Sequence, residues 1–203
     1  PERHYSASGD QTLFYDAIKK NHGLPHDPFK AIVTPRPIGW VSTQDEAGRP
    51  NLAPYSFFNA LSDRPPMVFF SSDGLKDSAS NARETGVFAC NLATFALKDA
   101  MNASSAPLAH GVSEFERAGL TPVPCEMIDA PRVAEAAVVL ECETLEVKPL
   151  VDRAGQAADY TMVIGQVLGI HIDDAYLVGG LLDITLLKPI ARLGYRSVIS
   201  SSP

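Results

Sequence analysis

The chain has 203 residues, enough for one domain of ordinary size without a second core. Apolar residues make up 45% and charged residues 20%, a mix that suits a packed interior and is too poor in charge for a disordered chain. The net charge of −7 argues against broad nucleic-acid binding, which needs clustered Lys and Arg, and no run of about 18 apolar residues predicts a membrane-spanning helix.

The first 20 residues lack a basic end followed by an apolar stretch, so no signal peptide is expected. Residues 10–20 predict a short amphipathic helix with Leu13, Phe14, Ala17 and Ile18 turned inward. Residues 22–28 read as a loop, and Pro25 separates His22 from His26, which argues against a zinc pair. A strand is predicted at 38–43, a Gly-bearing polar turn at 45–50 and a partner strand at 51–61, followed by a short strand at 67–72. Trp40 reads as a core residue. Residues 77–85 predict a helix, with Asp77 or Ser78 as N-cap and Gly86 closing it in the left-handed conformation.

Further along, 87–93 is a strand, 96–102 and 113–118 are helical, and the Pro-rich 121–131 is extended. Residues 138–150 alternate as a half-buried strand whose Glu141 and Glu143 are expected to meet solvent. Residues 160–172 form a second long strand in which Gly165 and Gly169 suit bulges, and the last strands fall between 177 and 193. Three scattered cysteines, Cys90, Cys125 and Cys142, form no C-x-x-C pair and fit reduced, buried thiols of a cytoplasmic protein. Most strands are joined by short turns and helices are few, so the fold class is mainly β with peripheral helices, an antiparallel barrel rather than a doubly wound sheet.

Neither a G-x-G-x-x-G fingerprint nor a P-loop is present, so any nucleotide-like ligand needs another device. Three segments offer one. In Thr34-Pro-Arg-Pro-Ile-Gly39 the prolines fix the backbone and present Arg36, which otherwise is a solvated turn residue. Ser42 and Thr43 end the first strand with two hydroxyls. On the next strand Ser56 and Phe58 share one side, Phe57 and Asn59 the other, and strand-end amides there can bond a flat heterocycle; the alternative places the Phe rings in the core. The loop 71–78 opens a helix whose unpaired amides, with the Ser72 and Ser78 hydroxyls and the Lys76 charge, suit a phosphate. Asp77 weakens that reading, and an ordinary capped helix is the alternative. No G-x-S-x-G elbow supports a hydrolase.

Together Thr34-Pro-Arg-Pro-Ile-Gly-Trp-Val-Ser-Thr43, Asn51-Leu-Ala-Pro-Tyr-Ser-Phe-Phe-Asn59 and Lys76-Asp-Ser78 with Asn81 resemble the flavin reductase-like family of FMN-binding split β-barrels. Asn91 and the stretch Glu114-Phe-Glu-Arg-Ala-Gly-Leu120 are similar as well, and the resemblance covers roughly 29–194. It implies one FMN-binding domain over 1–203, a six-stranded antiparallel Greek-key split barrel with a short N-terminal helix and a C-terminal tail. It also implies a homodimer with FMN held non-covalently near the interface. Carried over, Arg36, Ser42 and Thr43 would line the phosphate side, Ser56, Phe57, Phe58 and Asn59 the ring, and Ser72, Lys76, Asp77 and Ser78 the ribityl phosphate. His110, Arg192 and Tyr195 are candidates for substrate contact.

With the chemistry on the flavin, no catalytic side chain and no metal are called for. The expected activity is hydride transfer from NADH or NADPH to flavin, as a flavin reductase that could serve a monooxygenase partner. The alternative is an FMN-carrying electron-transfer or binding protein without NAD(P)H oxidase activity. The expected setting is cytoplasmic, with no membrane or nucleic-acid partner.

Overall fold

The computed structural model describes residues 12–106 and 112–195, and the backbone of 197–200. Its sheet begins with a hairpin that the sequence builds locally. Asp45 accepts the amides of Ala47 at 3.0 Å and Arg49 at 2.9 Å, and Gly48 takes a positive φ of 76° that a side chain would resist. That turn joins β1 (Gly39–Gln44) to β2 (Pro50–Tyr55). The sheet continues with β3 (Phe58–Asp63), β4 (Pro66–Asp73), β5 (Val87–Leu92), β6 (Val138–Val151) and β7 (Ala157–Ile172). The order across it is β2-β1-β5-β6-β7-β4-β3, and every pairing is antiparallel.

That order forces closure. The outermost strands, β2 and β3, are joined by Ser56 and Phe57 alone. Three Cα–Cα steps reach at most about 11 Å. A flat seven-stranded sheet would separate its edges by about 29 Å. The sheet must therefore curl until its edges meet, which makes a split barrel with a Greek-key path. The six strands expected from the sequence become seven because 51–61 is not one strand. It bends at Ser56–Phe57 and contributes to both edges.

Period-two alternation divides the interior. Val41, Val68, Phe70, Phe88, Cys90, Cys142 and Val163 pack in one cluster, together with Ala79 and Ala82 of helix α1 (Asp77–Thr85). Their neighbours Trp40, Leu52, Ala89 and Val139 face the other way. They join Met101 of α2 (Lys98–Ala103) and Phe115 of α3 (Glu114–Ala118). Trp40 is fully buried and its Nε1 donates to Ser104 Oγ at 2.9 Å, so it serves the core as expected. Helix α1 packs against β1, β5, β6 and β7 through its small residues, and Gly86 closes it at a φ of 75°.

Both glycine expectations in β7 hold. The register shifts between Ile164 and Gly165 and between Val167 and Gly169. A Cβ at Gly165 would sit 2.5 Å from the ring of Phe88, so the glycine makes room for that ring.

Three further expectations fail. Residues 12–20 contain no helix, only a turn at 17–20. Asp16 takes the amides of Ile18 and Lys19, the local bond that competes with helix, and Phe14 and Ile18 are exposed. The N-cap of α1 is Lys76, not Asp77 or Ser78, and no side chain caps that helix. Glu141 is buried to 0% exposure rather than solvated, because the 126–127 backbone folds over it and supplies two amides.

Candidate functional site

The bend that closes the barrel also builds a large recess. Because Ser56 and Phe57 lie outside regular strand, the alternation expected of 56–59 breaks, and all four residues line one cleft of about 1060 Å³. Phe69, Leu150 and Tyr160 complete an apolar floor, and the Phe57 and Tyr160 rings lie 5.6 Å apart. Gly39 sits behind Phe58, where a Cβ would fall 2.5 Å from the ring.

Arg36 forms the polar wall of the cleft. Its Nη1 donates to the carbonyl oxygens of Lys30 and of Val33, the latter at 2.7 Å, and so fixes the short helix Phe29–Ile32 against the barrel. Its Cζ lies 5.8 Å from the Phe57 ring centre, and Lys30 Nζ lies 5.9 Å from it. Arg36 is 6% exposed, and its Nε has no hydrogen-bond partner. Burial first, and then Arg192 directly opposite it in register, lower its pKa from the ordinary value. Two like charges facing each other across a strand pair repel, and an anion at this rim would relieve that repulsion. Arg192 Nη2 donates to Tyr195 O at 3.3 Å, and Tyr195 lines the cleft with its ring tilted against His26.

A second recess of about 500 Å³ lies at the start of α1, lined by Asn51, Tyr55, Lys76, Asp77, Ser78, Ser104 and Glu114 among others. The two recesses are lined by consecutive residues of the chain, Tyr55 in one and Ser56 in the other. Lys76 is exposed and enters no ion pair among the described residues, and the carboxylates of Asp77 and Glu114 oppose its charge. Donors are more plentiful than charge. The first amides of α1 are uncapped, Ser78 is buried to 1% exposure, and burial raises the pKa of Tyr55, keeping it a neutral phenol able to donate. Ser72 Oγ is fully buried beside that phenol without a hydrogen bond of ordinary geometry. This donor set and the aromatic cleft together fit a molecule with a flat ring at one end and a phosphoryl group at the other.

The structure thus gathers Arg36, Ser56, Phe57, Phe58, Asn59 and Tyr195 in the cleft, and Lys76, Asp77 and Ser78 in the hollow. Ser42 and Thr43 border neither recess. Both are fully buried: Ser42 donates to Pro131 O at 2.7 Å, and Thr43 accepts from Asn51 and Asn81 at 3.1 Å. They brace the strand from beneath. His110 lies outside the described residues. The sequence reading did not single out Tyr55, Tyr160, Lys30 or Glu114, nor a role for Asn51. The period-two spacing of Asn51, Ala53 and Tyr55 on β2 was the available signal.

The fold is thus a split barrel closed through a two-residue joint, with an aromatic cleft and a donor-lined hollow lined by neighbouring residues of that joint. Residues 32–185 match the flavin reductase like domain, and the chain belongs to that family. It is 40% identical over 167 residues to an uncharacterized protein of Halalkalibacterium halodurans, covering 79% of each chain. It is 36% identical over 169 residues to an uncharacterized protein of Aquifex aeolicus, covering 80% of this chain and 83% of the other. Among solved structures it is similar to nitrilotriacetate monooxygenase component B from Bacillus cereus. That match has a TM-score of 0.85 and 29% identity, over 96% of this chain and 98% of the other. A Pseudomonas fluorescens 2-nitrobenzoate 2-nitroreductase matches with a TM-score of 0.75 and 26% identity, over 86% and 85%.

Proposed function

We propose that the protein is an FMN-dependent flavin reductase that accepts hydride from NADH or NADPH. The observation that carries this reading is that consecutive residues, Tyr55 and Ser56, line a hollow of hydroxyl and amide donors and an aromatic, cation-walled cleft. When bound, the flavin supplies the hydride-accepting centre, so the protein needs no nucleophile or general base of its own. Ser56, Phe57, Phe58 and Asn59 hold the ring. Ser78, Lys76 and the first amides of α1 hold the phosphate, with Asp77 at the rim and Ser72 beneath. Arg36, Arg192 and Tyr195 meet the anionic part of the donor. Ser42 and Thr43 act indirectly, by fixing the strand that faces the ring.

The component B likeness supports a role beside an oxygenase, to which this protein would deliver reduced flavin. A homodimer and a cytoplasmic setting belong to the same reading. The test is the visible spectrum of the purified protein, followed by anaerobic addition of NADH and then NADPH. Bleaching of the flavin band by either, with turnover rising as FMN is added, is the expected result. Bound flavin that neither donor bleaches would favour the electron-carrier alternative, and a protein that ignores FMN would overturn both.

A further inference from the structure

We infer that Asn51 fixes the hydrogen-bond polarity of Ser78, and thereby makes the hollow at the start of α1 a receptor for a phosphoryl group rather than for a neutral alcohol. This rests on the proposed flavin reading and adds a positioning residue to it.

The argument is one of donor and acceptor accounting. A carboxamide has two N–H donors and a hydroxyl has one O–H and two lone pairs. Asn51 Nδ2 donates to Ser78 Oγ at 2.8 Å and to Thr43 Oγ1 at 3.1 Å, so both of its donors are committed. Thr43 Oγ1 also accepts from Asn81 Nδ2 at 3.1 Å, which fills its lone pairs. Asn51 stands opposite Thr43 in the β1–β2 register, so the backbone as well as the side chain fixes this geometry. All four groups are buried, at 8% exposure or less. Ser78 Oγ therefore accepts a hydrogen bond from beneath, which leaves its O–H for the side of the hollow, where the Tyr55 phenol is its protein neighbour.

What lies above decides the consequence. The phosphate of FMN is rich in acceptors, so a binding hydroxyl must donate. Net charge cannot select an anion here, because Asp77 and Glu114 outnumber Lys76 among the charged residues lining the hollow. Selectivity falls to oriented donors: the uncapped helix amides, the Tyr55 phenol and Ser78. A lone pair occupied by Asn51 also strengthens Ser78 as a donor, since hydrogen bonds in a chain polarise one another.

The experiment compares FMN with riboflavin, which differ only by the phosphate, in flavin-fluorescence titrations of the intact protein. Wild type should prefer FMN. Asn51→Ala should shrink that preference about tenfold, the effect of one charge-assisted hydrogen bond, with riboflavin affinity unchanged. Asn81→Ala removes the other amide from the same Thr43 oxygen but touches no Ser78 donor, so it should lower the melting temperature and leave the preference intact. Should Asn51→Ala fold poorly, Asn51→Asp serves, since its carboxylate turns the Ser78 proton downward and should abolish the preference. A preference that survives both Asn51 variants, or equal losses for FMN and riboflavin, overturns the inference. Lys76→Ala separates the levels: if it shrinks the preference while Asn51→Ala does not, only the inference fails. If wild type has no preference for FMN, the phosphate reading falls with it.

Discussion

Glu141 and His171 are hydrogen-bonded across adjacent strands through Oε1 and Nε2, at the place where β7 carries an extra residue between Val167 and Gly169. Glu141 also accepts the amides of Glu126 at 2.8 Å and Met127 at 2.7 Å, so one buried carboxylate ties a loop to two strands. Burial raises its pKa, but those two amides and His171 outweigh burial, and the pKa ends below its ordinary value of 4.5. A carboxyl whose folded pKa is depressed stabilises the fold above its unfolded pKa, and that contribution is lost as pH falls through the folded value. Urea midpoints should therefore hold near neutrality and drop below about pH 4.5, with a shallower acid limb in Glu141→Gln. An identical acid limb in that variant would refute the assignment. Glu141→Leu leaves two amides and an imidazole without a partner and should cost about 3 kcal/mol at pH 7.

Lys76 is exposed, which limits its worth. Lys76→Ala should weaken FMN binding by about 1 kcal/mol at low ionic strength, close to fivefold, and by much less in about 0.5 M salt. Titrations at the two salt concentrations check this. A loss independent of salt would mean that Lys76 acts by contact rather than charge.

Gly165 and Gly39 face rings at the same distance, yet their alanine variants should diverge. At Gly165 the obstructing ring is Phe88, fully buried, so Gly165→Ala should destabilise by about 1–3 kcal/mol. At Gly39 it is Phe58, half-buried at the cleft, which can swing aside. Gly39→Ala should melt closer to wild type but bind FMN more weakly. Thermal melts and flavin titrations of the two variants decide the matter, and the opposite ordering would remove Phe58 from the ring site.

Arg36 grips two carbonyls of one turn with a single guanidinium nitrogen, which an ammonium on a flexible stem does not reproduce. Arg36→Lys should loosen the 29–33 segment, read as faster hydrogen exchange there, and raise the KM for NADH more than it lowers kcat. Unchanged exchange across 29–33 would show that other contacts hold that wall.

Most of the sheet was legible because its strands carry short-range signals: Gly48 in the first hairpin, alternation in 138–150, and paired glycines in 160–172. The helix at 77–85 was readable from Gly86 and its small residues. What was not legible depended on distant chain. Nothing local distinguishes a strand that bends at Ser56–Phe57 from one that runs on, since the bend follows from closing the barrel. Glu141 reads as an outward carboxylate by alternation, and only the arrival of 126–127 buries it. The hydroxyls of Ser42 and Thr43 looked available for the same reason, because their partners Pro131, Asn91, Asn51 and Asn81 come from elsewhere in the sequence.

The two-residue joint sets a fixed ruler inside the molecule. The offset between the cleft and the hollow follows the main chain at 55–57, where neighbouring residues line one and the other. A ligand that occupied both recesses would have to match that length before any wall residue could tune its affinity.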